Sequence, residues 1–312
     1  MTAKYGFFII ALSVLCLLTC SALDVRIGMG MGKDVKLSYR VVGHGPPLVV
    51  IHDGPGYEKS IMYRGFDDLG SDMTVVYYDQ RGCGRSQPLS PLTSLTIEDN
   101  VEDLEALRRY LHLDRFSVAA HGWGAVIAIE YALKYGEHVD GMILVTPISP
   151  FRPDPLAESV LEKLSSKANL EIDQLLNHPS MSILERRKRM MRLVLEGLFY
   201  NQKVRRSINF ASLKLSPDVN LRLGRELGKL DLFPVLGQID VPCLVVVGRH
   251  DLLTPVRDQM AYADGIDRSS AVVFNESGHF PFLEEHEFFI SVVKEFLINR
   301  RVPTLVDLAT ET

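Results

Sequence analysis

The chain has one tryptophan, four cysteines and no surplus of positive charge among its 312 residues. Each shortage excludes something. Cys16 and Cys20 lie in an apolar N-terminal stretch, which leaves Cys83 and Cys243 for the body of the protein. Two such cysteines make no disulfide framework and show no zinc-ligand spacing. With 34 Lys+Arg against 39 Asp+Glu, the net charge of −5 gives no electrostatic footprint for nucleic acid. RNP-like, zinc-finger and helix-turn-helix patterns are also missing, so no nucleic-acid partner is expected. There is no P-loop, dinucleotide fingerprint or metal-ligand cluster, and no cofactor or metal is expected. The ordinary apolar (46%) and charged (23%) fractions exclude a disordered or fibrous chain.

What is present starts with an anomaly at the N-terminus. Lys4 precedes the apolar run 5–19 (YGFFIIALSVLCLLT), followed by Cys20, Ser21 and Ala22 before the charged Asp24. A short positive start, an apolar run and small residues describe an export signal. The run also approaches the ~20 residues that span a bilayer. Residues 1–22 are therefore expected to export the protein, as a secreted or periplasmic chain, or to attach it to a membrane.

Beyond this segment, short apolar runs bounded by turn residues recur at 47–52, 74–79, 116–120, 142–146, 243–248 and 271–275, after an alternating run at 35–42. Such runs are the mark of buried parallel strands. Helix-period segments at 96–111, 123–135 and 285–299 lie between or after them, the first opening on a Thr96-x-x-Asp99 cap pattern. The reading is an α/β fold with a mostly parallel sheet flanked by helices. The alternation stops between 147 and 232, where helical patterns at 156–167, 183–198 and 218–230 predict an inserted helical cap over the strand ends. The expected organisation is a core in two parts, 23–146 and 233–300, the cap at 147–232 and a short tail at 301–312. A small molecule or short peptide is the expected ligand under the cap.

Four motifs follow predicted strands. His52-Asp53-Gly54-Pro55-Gly56 is a Gly-rich turn whose backbone N–H groups can face a developing oxyanion. Tyr78 leads into DQRGCGRS, which ends at Ser86; Gly248-Arg249-His250-Asp251 follows a late strand, and Ser277-Gly278-His279-Phe280-Pro281 with Glu284 follows the last. These strings resemble the proline iminopeptidase family of α/β-hydrolases, in the wider peptidase S33 group. HDGPG is similar to that family's HGGPG, with Asp53 in place of a glycine. The resemblance implies the α/β-hydrolase fold, Asp251 as the acid that orients His279, and an oxyanion hole at Gly54 and Trp123.

The resemblance fails at one residue. A nucleophile elbow, G-x-S-x-G, should follow the strand at 116–120, where the chain reads Ala120-His121-Gly122-Trp123-Gly124. Gly122 stands where the serine belongs, so the nucleophile position is vacant and ordinary Ser-His-Asp catalysis is not expected. Glycine suits the positive φ of an elbow, which strains other residues. Two readings follow: a pseudo-hydrolase that binds a small ligand, or an enzyme in which the His279–Asp251 pair acts as general base. In the second, a water in the space of the lost hydroxyl, or the substrate itself, gives up the proton in a slow hydrolase, lyase or isomerase.

Overall fold

The protein is described by a computed structural model over residues 24–92, 95–151 and 160–299. The apolar segment read as an export signal or anchor, and the tail from 301, lie outside the described residues. Eight strands form one sheet: β1 (Val25–Met31), β2 (Lys36–Val42), β3 (Pro47–Ile51), β4 (Thr74–Tyr78), β5 (Phe116–His121), β6 (Val139–Val145), β7 (Cys243–Gly248) and β8 (Ser269–Phe274). Their order is β1-β2-β4-β3-β5-β6-β7-β8. β1 and β2 pair antiparallel and β2 meets β4 antiparallel, while every pairing from β4 to β8 is parallel.

Strand periodicity builds both faces. Along β3, Val49 and Ile51 enter one apolar cluster, while Leu48 and Val50 enter the other. The first cluster is covered by α2 and α3, following α1 (Ser60–Phe66) as α2 (Ile97–Tyr110) and α3 (Gly124–Tyr135). The second is covered by α1 and by the C-terminal α11 (His286–Leu297), which buries Phe289, Val292, Val293 and Phe296. Each fully buried side chain of this kind stabilises by about 1.5–3 kcal/mol. The cap pattern at Thr96 is a complete capping box: Thr96 accepts from the Asp99 N–H, and the Asp99 carboxylate accepts from the Thr96 N–H. Such a cap contributes ~1 kcal/mol to the helix.

Between β6 and β7 the described residues hold helices and no strand: α4 (Val160–Lys163), α5 (Ser166–Leu176), α6 (Ile183–Gly197), α7 (Gln202–Arg206) and α8 (Pro217–Leu227). The helix expected at 156–167 is instead broken, because Ser165 caps a new helix by accepting from the Ala168 N–H. α9 (Val256–Gly265) and the short α10 (Pro281–Glu284) complete the core. The edge strand β1 escapes the sequence reading. Its alternate side chains Val25, Ile27, Met29 and Met31 are exposed, and glycines break its apolar run. No described helix is long and apolar enough to cross a membrane.

Candidate active site

Parallel strands deliver their C-terminal loops to one edge of the sheet, the usual binding edge of an open α/β fold. The loops after β3, β5, β7 and β8 bring Asp53, Gly122, Asp251 and His279 together there. Asp251 and His279 form the pair expected from the motifs, with His279 Nδ1 donating to Asp251 Oδ2 at 2.8 Å. The other Asp251 oxygen accepts from the N–H groups of Leu253 and Thr254, so the carboxylate is fixed by its own loop. A side chain on Gly248 would overlap the Gly278 carbonyl, so this close approach of the acid and histidine loops requires glycine. Glu284 braces the histidine loop, accepting from the N–H groups of Gly278 and Asn201. Burial pushes its carboxyl up, against the pull of these backbone donors. The His279 N–H donates to the Leu198 carbonyl, which ties the loop to the C-terminal end of α6.

Gly122 occupies the turn between β5 and α3 with φ +53, a left-handed conformation that glycine adopts freely. The space beside it is filled. A Cβ built on Gly122 would lie 2.5 Å from the Asp53 Cγ and closer still to Oδ1. Real Cβ contacts do not come so near, so a serine at 122 and the observed Asp53 rotamer exclude each other. Asp53 Oδ1 accepts from the Trp123 N–H at 2.7 Å, and Oδ2 lies 3.2 Å from His279 Nε2. The expectation of a water in the vacated space is therefore corrected: the carboxylate of Asp53 stands there. Of the two residues expected to form an oxyanion hole, Trp123 has its N–H committed to that carboxylate. Gly54 lies alongside, its Cβ direction meeting the Trp123 ring.

The electrostatics follow from this packing. Burial alone would lower the pKa of His279, but the Asp251 charge and hydrogen bond, reinforced by Asp53, outweigh it and raise it to about 10. Near neutral pH His279 is thus an imidazolium between two carboxylates. Asp53 is pushed up by burial and pulled further down by its hydrogen bond to His279 and by the charges around it, ending below its ordinary value. His121, directly before Gly122, is fully buried, and desolvation together with the His279 charge drives it down to about 3.

The DQRGCGRS string proves to be scaffolding. Asp79 is buried and accepts from the Lys59 N–H, the Lys59 ammonium and the Arg85 N–H. Gln80 donates to the His52 carbonyl and accepts from the Trp123 indole, which fixes that ring. Arg81 grips Asp103 with two hydrogen bonds of 2.7 Å. His52 Nδ1 donates to the Asp53 carbonyl and its Nε2 accepts from the Gln80 N–H, so the backbone that presents Asp53 is held on both sides. Sequence reasoning had singled out Asp53 only as a departure from HGGPG. Its side chain is the group it missed, and a carboxylate beside a glycine-bearing elbow is the signal that would have found it.

A cavity of about 270 Å³ lies beneath the inserted helices, lined by Tyr57, Met190, Met191, Val194, Asn220 and Leu221 among others. A larger one, about 900 Å³, lies at the opposite edge of the sheet beside Arg115, Asp140, Asp240 and Arg268. The larger cavity surrounds the N-terminal ends of β5 to β8, away from the assembled side chains. The smaller one lies between α6, α8 and Tyr57, and none of Asp53, Gly122, Asp251 or His279 lines it.

A family model described as the alpha/beta hydrolase fold matches residues 46–286. The chain is 28% identical to a proline iminopeptidase of Saccharolobus solfataricus over 283 residues, covering 83% of this chain and 87% of that one. It is 27% identical to a proline iminopeptidase of Heyndrickxia coagulans over 268 residues, covering 82% and 91%. Among solved structures, an alpha/beta fold family hydrolase from Bacillus anthracis superposes with a TM-score of 0.70 at 22% identity, covering 88% of this chain and 100% of that one.

Proposed function

Because the chain belongs to the α/β-hydrolase fold family, we propose that it is a pseudo-hydrolase of proline-iminopeptidase-like type, in which the acyl-enzyme route is closed and the site binds rather than cleaves a small ligand. One observation carries this reading: the Asp53 carboxylate fills the elbow, taking the Trp123 N–H and pairing with His279. Three requirements of acyl transfer fail together. Gly122 has no hydroxyl to acylate, a donor for the oxyanion is already occupied by a full negative charge, and the base is protonated. An anion in the hole repels the oxyanion that the hole would otherwise stabilise. The cavity near Tyr57 suits a small molecule or the end of a short peptide. The N-terminal segment fits export or membrane attachment of such a binding protein.

The retained Asp251–His279 hydrogen bond favours a second reading, general-base catalysis without a covalent intermediate. It requires His279 to give up its proton, and hence Asp53 to leave. Rates of prolyl-arylamide and short acyl-ester hydrolysis decide between the readings, measured for wild type beside the double variant Asp53→Gly/Gly122→Ser. Wild type is expected to be silent and the double variant to turn over with an acyl-enzyme burst. Loss of the serine alone costs about 10⁶ in kcat in a comparable triad, so wild-type activity within ~100-fold of the double variant overturns the pseudo-hydrolase reading.

A further inference from the structure

The elbow holds a second arrangement that the closed acyl route does not account for. Asp53, His121 and His279 each bring a ligand-capable atom to one point, all within 4.8 Å of one another, and all three residues are buried. No sequence spacing announces such a cluster, and its convergence departs from the expectation of no metal site. We propose that Asp53, His121 and His279 form a site for one divalent first-row transition-metal ion of the kind held by imidazole and carboxylate, such as Zn²⁺ or Fe²⁺.

Three features support it. First, the far nitrogen of each histidine is committed. His279 Nδ1 donates to Asp251, which directs Nε2 at Asp53. His121 Nε2 donates to the His279 carbonyl at 2.8 Å, which leaves the lone pair on Nδ1. Metal-bound histidines are held in this way, by a carboxylate or backbone carbonyl on the nitrogen away from the ion.

Second, His121 Nδ1 is buried and has no hydrogen-bond partner. A buried acceptor left unmatched is uncommon and calls for a partner. A core histidine satisfied on both nitrogens would not leave Nδ1 unpartnered in this way.

Third, the spacing is close to that of a metal site. Ligands at ~2.0–2.2 Å from a tetrahedral ion lie roughly 3.3–3.5 Å apart. Asp53 Oδ2 and His279 Nε2 stand at 3.2 Å already. His121 lies within 4.8 Å of both, and a side-chain movement closes the remaining gap. An ion between Asp53 and His279 takes the place of the proton they now share. Two histidines and one carboxylate suit Zn²⁺ or non-haem Fe²⁺, and three protein ligands leave a coordination position for water or a ligand.

The inference goes beyond the pseudo-hydrolase reading and is tested separately from it. Untagged full chain, stripped with EDTA and dialysed, is titrated with Co²⁺ as a spectroscopic probe, and Zn²⁺ is then used to displace it. Expected are one equivalent of Co²⁺ with visible d–d bands, loss of the bands on adding Zn²⁺, and at least about tenfold weaker binding in Asp53→Asn and in His121→Gln. Asp251→Asn, which acts through His279, is expected to weaken binding by about 10–100-fold. Circular dichroism accompanies each variant. Should His121→Gln not fold, the near-isosteric Asp53→Asn decides alone. Wild type that takes up neither Co²⁺ nor Zn²⁺, or binding undiminished in folded Asp53→Asn, overturns the metal site. Neither result bears on the hydrolysis rates of the Asp53→Gly/Gly122→Ser variant.

Discussion

Replacing Asp53 by asparagine removes one of the two charges that hold the proton on His279 and leaves the shape of the side chain nearly unchanged. In the folded protein His279 is raised from 6.5 to about 10. The unfolded chain binds that proton only below about pH 6.5, the ordinary histidine value. The stabilisation is therefore fully present below pH 6.5 and is lost as pH rises through 10. Between these limits the folded state holds one proton more than the unfolded state, so stability falls by about 1.4 kcal/mol per pH unit from this group. Across the window the contribution is on the order of 5 kcal/mol, shared between Asp251 and Asp53. The neighbouring His121 is held near 3 and stays neutral throughout. In Asp53→Asn only Asp251 remains, so the folded pKa drops and the decline ends at lower pH. Urea unfolding of both proteins in steps from near pH 6 to pH 10 measures this, and the alkaline titration of tyrosines and lysines cancels in the difference. The expected result is a wild-type advantage that shrinks as pH approaches 10. Parallel profiles across the window would refute the coupling of Asp53 to His279.

Other consequences of the packing are open to equally simple checks. Glu105 accepts hydrogen bonds from Arg108, Arg109 and Tyr131. Burial pushes its carboxyl up, but these partners win and hold it down at about 2. Glu105→Gln should melt below wild type near neutral pH, with the gap closing as pH falls through 2, and thermal melts across the acid range test this. Arg81→Ala strands the buried Asp103 carboxylate and should cost about 3–5 kcal/mol in urea unfolding. Burial pushes the Cys83 thiol up to about 12 and Cys243 higher. Peptide mapping after treatment with a thiol reagent near pH 8 should find both unmodified in the native protein and modified in urea.

The fold was legible because its signals are local. Runs such as 47–51 and 243–248 are apolar on both faces and end in turn residues, as buried parallel strands require. β1 carried no such signal, since its apolar residues alternate with glycine and face outward. The acid and the histidine were legible for the same reason: each sits in a distinctive string directly after a strand. The role of Asp53 was not. Read along the chain, an aspartate in a glycine's place and a glycine in a serine's place are two unrelated departures. Only when β3 and β5 lie side by side does one side chain fill the space the other lacks. The convergence of His121 was hidden likewise, because its meaning depends on the carbonyl of His279, from the far end of the fold.

The central claim is that Asp53 occupies the place of an elbow nucleophile and shuts it. Labelling by a fluorophosphonate probe, read as a mass shift on the elbow peptide, tests it most directly in wild type, Gly122→Ser and Asp53→Gly/Gly122→Ser. In the single variant the new Cβ meets the Asp53 carboxylate and adopts positive φ, which alone costs a non-glycine residue about 1–2 kcal/mol. The account predicts no label on wild type, little or none on Gly122→Ser, and stoichiometric label at residue 122 of the double variant. Gly122→Ser labelled as fast as the double variant would contradict it, because the aspartate would then obstruct nothing.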